Sequence, residues 1–145
     1  MRVPTSWSDV QRQRVLDGWE KQRVQEALET VLPRWEAKTG LKAQKWTVKL
    51  LRSRWGSCRP QTGSLVFNSR LGAFHPSCLD YVVVHELAHL VEPSHNPRFH
   101  ALVEGWLPGS QQIRKHLVKG IGLAVPTEPD VSQDLFARGG EETEP

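Results

Sequence analysis

The sequence is poor in cysteine, with only Cys58 and Cys78 among its 145 residues. Its first residues, Met1-Arg2-Val3-Pro4, run into polar Ser and Asp without the apolar stretch of a secretory signal. The expected setting is therefore a reducing cytoplasm, with the two thiols serving as small buried hydrophobes rather than as a disulfide. No run approaches the ~18 apolar residues that a membrane span needs, so a soluble chain is expected. Internal repeats and a Cys-rich zinc finger are also missing. What is present is ordinary for a folded protein: 38% hydrophobic and 24% charged residues, above the composition of a disordered chain. The length suits one core.

The formal net charge of +3 and pI near 9.1 permit contact with nucleic acid or an acidic surface without demanding it. The distribution is uneven. Positive residues, including Arg52, Arg54 and Arg59, crowd the first part, whereas Glu128, Asp130, Asp134, Glu141, Glu142 and Glu144 make the end acidic. Residues 126–145 are expected to form a disordered acidic tail after a domain spanning 1–125.

Ser8 is a candidate N-cap for a helix running to about Lys38, with Val10, Val15, Trp19, Val24, Leu28, Val31 and Leu32 near a helical period. Pro33 is expected to kink or restart it, and Gly40 to stop it. Lys45 to Leu51 alternates as a half-buried strand does. Strands around Arg54–Cys58 and Ser64–Asn68 flank Arg59-Pro60-Gln61-Thr62-Gly63, whose Pro and Gly suit a hairpin loop. A short antiparallel sheet is expected. Pro76 to about Val91 reads as a helix apolar on nearly every side, hence buried, with Asp80 at its positive end. Further helices open at Pro97, carrying Phe99, Leu102, Val103 and Trp106, and at about Ser110.

Within the buried helix stands His85-Glu86-Leu87-Ala88-His89, the pattern H-E-x-x-H. Residues four apart share a helix face, so His85 and His89 can offer imidazole nitrogens to one ion while Glu86 emerges beside them. Imidazole ligands with an open tetrahedral position favour zinc, and the neighbouring carboxylate can act as general base toward water. Two imidazoles and a carboxylate in an apolar helix would be unfavourable without such a purpose. A catalytic zinc needs a third protein ligand, for which Glu92, His95, His100 and Glu104 are the candidates. His95 is preferred, because the turn at Pro93 lets a loop return over the ion. Glu104, from a following helix, is the runner-up. Glu92 is better placed to orient a ligand, and His100 is read as structural or exposed, as are the cap-position His75 and the helical His116.

With these residues in hand, the chain resembles the YgjP-like metallopeptidases, part of the minigluzincin and SprT-like group of small zinc proteases. The resemblance rests on Arg54-Trp55-Gly56-Ser57-Cys58 with Asn68 and Leu71, on Leu79 to Leu90, and on His95-Asn96-Pro97-x-Phe99. It implies an α+β, zincin-like minimal metalloprotease domain: a long N-terminal helix, a small antiparallel sheet, the H-E-x-x-H helix and C-terminal helices. It further implies His85, His89 and His95 as zinc ligands, Glu86 as base, and Arg54, Trp55 and Gly56 on an edge strand able to pair with an extended peptide or protein substrate. Core packing is the other use of that strand, with Trp55 and Cys58 buried and Gly56 allowing close approach. Family members carry a β-rich region before the long helix; here the helix starts almost at once, and substrate selection made there is expected to be absent. His100 stands where an aromatic such as Trp is expected. Two further functions compete with the peptidase: a SprT-like DNA-associated protease or nucleic-acid-binding protein, and a structural zinc module closed by cysteine.

Overall fold

In a computed structural model, which describes residues 8–124 and the side chains of 8–119, the capping signal at Ser8 is used in full. The Ser8 hydroxyl accepts from the Gln11 amide, and the Gln11 side chain accepts from the Ser8 amide, so the start of helix α1 (Asp9–Thr39) is reciprocally closed. Gly40, at φ 77°, takes the left-handed position that ends it. Pro33 does not restart the helix, which is continuous through it. Pro33 and Glu29, the residue whose carbonyl loses its partner, are both exposed, so water can satisfy that carbonyl, and burial of Leu28, Leu32 and Trp35 on the other face holds the helix together. The apolar positions before Glu20 do not join the core: Val10 is 62% and Trp19 37% exposed.

Three strands follow, β1 (Lys45–Lys49), β2 (Gly56–Arg59) and β3 (Ser64–Asn68). The sheet is mixed rather than antiparallel. Its order is β1-β3-β2, with β2 antiparallel and β1 parallel to the central β3. The reason lies in the wholly buried Asn68. Its Nδ2 donates to the carbonyls of Leu51 at 3.0 Å and Arg54 at 2.8 Å, and its Oδ1 accepts from the Arg70 amide at 3.0 Å. The β1–β2 connection is thereby pinned beside the end of β3, and β1 must lie on the far side. A 3₁₀ turn, Ser69–Ala73, which local pattern did not announce, then leads to α2 (Pro76–Ala88), α3 (Pro97–Trp106) and α4 (Ser110–Ala124).

α2 is the hub. Its residues Leu79, Tyr81, Val82, Val83, Val84, Leu87 and Ala88 are all buried, under α1 on one side and the sheet on another. Besides sitting near the helix start, Asp80 accepts from Arg34 Nη2 at 2.7 Å and Trp35 Nε1 at 2.8 Å, tying α1 to α2. The indole of Trp55, just before β2, donates to the carbonyl of Leu117 at 3.0 Å and meets Phe74 edge-on at 4.9 Å, which locks α4 against the sheet. Cys58 and Cys78 are buried free thiols. Among the described residues no helix is long and apolar enough to cross a membrane. The expected acidic tail, residues 126–145, lies outside the described residues.

Candidate active site

The helix bearing the motif ends at Ala88, three residues earlier than its apolar run suggests. Its last turn tightens into i→i+3 bonds, with the amides of His89, Leu90 and Val91 donating to the carbonyls of Glu86, Leu87 and Ala88. That tightening brings the Glu92 carbonyl to His89 Nδ1 at 3.1 Å. With Nδ1 donating there, His89 Nε2 carries the lone pair that a metal needs.

His95 comes back over the motif as the turn at Pro93 allows. Its Nε2 lies 3.1 Å from His89 Nε2, and one nitrogen from each of His85, His89 and His95 falls within 4.8 Å of the others. Two nitrogens bound tetrahedrally to one zinc at ~2.0–2.1 Å lie roughly 3.3 Å apart, so the His89–His95 spacing matches such an ion, and His85 is near enough to complete the group. His85 and His89 are buried, whereas His95 is exposed at the rim. Phe99 forms a floor common to all three, stacked on His89 at 4.4 Å and edge-on to His85 and His95 at 4.8 and 5.0 Å.

The other candidates lie elsewhere. Glu104 accepts from the Gly109 amide and the Ser110 hydroxyl, both at 2.8 Å, and so caps α4. The Glu92 side chain accepts from Asn96 Nδ2 at 2.9 Å and lies 3.7 Å from Arg98. Since Asn96 Oδ1 in turn caps α3 through the Phe99 amide at 2.9 Å, Glu92 braces the loop that carries His95. The exposed His100 stacks 6.3 Å from His95. His75 caps α2, accepting from the Ser77 amide, and His116 meets Phe74 edge-on at 6.0 Å.

Glu86 is wholly buried, and neither carboxylate oxygen accepts a hydrogen bond among the described residues. His85 Nδ1 lies 3.4 Å from its Oε2. Burial pushes its carboxyl up to about 7, against the lowering influence of His89 and Arg54. The histidines move the opposite way. Desolvation, followed by Arg114 and His100, holds His85 well below the usual imidazole range. His95 is held down to about 3 by desolvation and then by His85, His89, His100 and Arg114. A set of neutral imidazoles beside a carboxylate without hydrogen bonds is the donor set a divalent metal and a water molecule would complete.

β2 stands above this site. A Cβ on Gly56 would meet Val82 Cγ1 at 2.9 Å, Glu86 Oε2 at 3.0 Å and the Val66 carbonyl at 3.1 Å, so only glycine lets the strand approach the carboxylate this closely. Trp55 is wholly buried with its N–H engaged. It sets the position of the strand, and its side chain is not presented to a substrate. Arg54 lies near enough for its charge to act on Glu86. Cys58 is also buried, its thiol pushed up by burial and by Glu86; it lies outside the histidine group, contrary to what a cysteine-closed structural zinc site requires. Arg114 on α4, whose charge acts on Tyr81, His85 and His95, escaped the sequence reading because nothing local marks it.

Among solved structures, the chain is similar to the metallopeptidase zymogen abylysin of Pyrococcus abyssi, at 19% identity and a TM-score of 0.59 over 66% of this chain and 95% of that one. It is likewise similar to the metallopeptidase zymogen jannalysin of Methanocaldococcus jannaschii, at 15% identity and 0.57 over 65% and 96%. At these identities the likeness concerns the fold. No curated protein matches in sequence. The model of the YgjP-like metallopeptidase domain matches residues 2–119, and with that match the chain belongs to the YgjP-like family of metallopeptidases.

Proposed function

We propose that this metallopeptidase uses zinc held by His85, His89 and His95, with Glu86 as general base, to cleave peptide bonds in peptide or protein substrates. The observation that carries the reading is the convergence of three imidazole nitrogens next to a buried carboxylate that accepts no hydrogen bond among the described residues. Zinc in that site supplies Lewis acidity, polarising a carbonyl and making water easier to deprotonate. The chain's own residues do the rest. Glu86, with its carboxyl near 7, accepts the proton of the attacking water and can return it to the leaving amine. Gly56 lets β2 itself lie against that carboxylate, and the edge of β2 offers an extended peptide backbone pairing beside it. The Glu92 carbonyl fixes the His89 tautomer, and Phe99 excludes water from below the rings. The two free thiols support placing the enzyme in a reducing compartment such as the cytoplasm.

Elemental analysis of wild type, His95→Ala and Glu86→Gln, each paired with hydrolysis of an unstructured protein, tests this. Near-stoichiometric zinc in wild type, weakened zinc in His95→Ala, and zinc kept with hydrolysis lost in Glu86→Gln are the expected results. A Glu86→Gln enzyme that hydrolysed normally would refute the base assignment, and wild type unable to take up any divalent metal would refute the site.

A further inference from the structure

Residues 37–79, which build the whole sheet, contain eight Lys or Arg and not one Asp or Glu. Because the entire chain is only +3, the remainder is net acidic and this segment carries the positive excess, with Lys45, Lys49 and Arg59 on the strands themselves. The strand register sorts it further. Lys45 of β1 lies opposite Ser64 of β3, which lies opposite Arg59 of β2, so the three share one row and one face. Lys45 and Arg59 are exposed and, with Gln44, Thr62 and Ser64, line an open hollow of about 510 Å³. The next row on this face is Thr47, Val66 and Ser57. The opposite face carries Trp46, Leu65, Cys58 and Phe67 and turns toward the core.

This row ends at β2, the edge at which a substrate strand would pair, and it ends in Arg59. A peptide laid along β2 turns alternate side chains to each face, so one of them continues the row beyond Arg59. Gly56 marks the catalytic end of the strand by its closeness to Glu86, and Arg59 stands three positions further along. Lys45, two strand spacings from Arg59, lies three spacings, roughly 14 Å, from the peptide strand, within reach at low ionic strength, where the Debye length is ~30 Å at 0.01 M. Resting on the peptidase reading, we propose that the outer face of the sheet is an extended substrate subsite, which selects an acidic side chain about three residues from the scissile bond through Arg59, backed by Lys45. A peptide carboxylate fits better than a nucleic acid, because the rows of this face hold no aromatic ring on which bases could stack.

The test is binding, by fluorescence anisotropy, of unstructured peptides that differ only in Asp, Asn or Lys three residues to either side of the centre. The protein is full-length, zinc-loaded Glu86→Gln. With the Asp peptide on one of the two sides, affinity is expected to exceed that of the Lys peptide by roughly tenfold at low salt, from two cations each worth a few-fold, and to converge on it as salt rises. Arg59→Glu should reverse the order, Lys45→Glu should shrink it, and Arg59→Lys should keep it. Equal binding of all three peptides, or an order unchanged in Arg59→Glu, overturns the subsite. Single-stranded DNA binding more tightly than the Asp peptide and displacing it overturns it in favour of a polyanion surface. A tenfold gain in peptide affinity on neutralising the acids of residues 128–144 overturns it in favour of the chain's own acidic end. Hydrolysis by wild type separates this idea from its foundation. Charge-blind cleavage removes the subsite and keeps the peptidase; charge-ordered binding without any cleavage does the reverse.

Discussion

The proposed metal site is assembled from two unlike halves. His85 and Glu86 come from α2 and His89 is its C-cap; the helix residues around them are buried on every side, and the backbone is fixed by packing under α1 and the sheet. His95 comes from an exposed loop and owes its place to hydrogen bonds: Glu92 to Asn96, and Asn96 to the α3 amide. The helix half is preorganised by the core and is coupled to global stability. The loop half is expected to loosen without global unfolding. A ligand set of this kind can keep two donors permanently poised while the third remains adjustable.

The sharpest way to use that difference is to alter chemistry while sparing both halves. Glu86→Gln should lower kcat by about 10²- to 10⁴-fold, the usual worth of a general base, while zinc content measured by elemental analysis stays unchanged. Phe99→Ala attacks the surface the halves have in common. It should destabilise the protein by about 3–5 kcal/mol in urea unfolding and weaken metal binding as well. The loop half alone is addressed by Asn96→Ala, which removes both the cap of α3 and the brace to Glu92. Here a 10- to 100-fold loss of zinc affinity, read by competition with a chelator, should accompany only about 1 kcal/mol of destabilisation. If Asn96→Ala lost as much stability as Phe99→Ala, the two halves would not be separable.

A separate effect should appear in the metal-free protein on acidification. His85 and His95 titrate below the ordinary 6.5 in the folded state, His95 near 3, so the unfolded chain binds protons first and stability falls as pH drops through that window. Glu86, raised to about 7 from 4.5, opposes this between those two values because its folded form is the better proton acceptor. The steeper loss is therefore expected below about 4.5, where the histidine contribution is no longer offset. Urea midpoints of the metal-free protein measured from pH 7 to 3 will show it, and a profile rising toward acid throughout would contradict the lowered titration of His85 and His95.

These halves also differed in how far they could be read in advance. The α2 half is local: four-residue spacing puts His85 and His89 together whatever surrounds them. Capping at Ser8, Gly40 and Pro97 was legible for the same reason, as each signal lies within a few residues of the element it ends. His95 could be singled out from Pro93 and loop length, and Glu92 as a residue placed to orient a ligand, but the bracing of the loop through Asn96 could not, since no local signal joins Asn96 to Glu92. Less legible still were contacts over long separations. Asn68 reaches back to Leu51 and Arg54, Trp55 forward to Leu117, and no periodicity encodes either. The parallel placement of β1 was missed because hairpin chemistry at Arg59–Gly63 announces only the β2–β3 pair, and the apolar positions Val10 and Trp19 continue the stripe of α1 past the end of the core that the described residues form.

The crossover of β1 has a kinetic side. β2 and β3 are joined by a loop of four residues and can zip as a hairpin within ~1–10 μs, whereas β1 must wait for a long closure before its parallel register with β3 exists. The sheet should thus grow from its second strand pair, with the first strand docking last as Asn68 closes on the connection behind it. Substituting Leu65 in the hairpin is expected to slow refolding, and substituting Val48 in β1 to speed unfolding instead, a contrast that stopped-flow rates on the two variants can resolve.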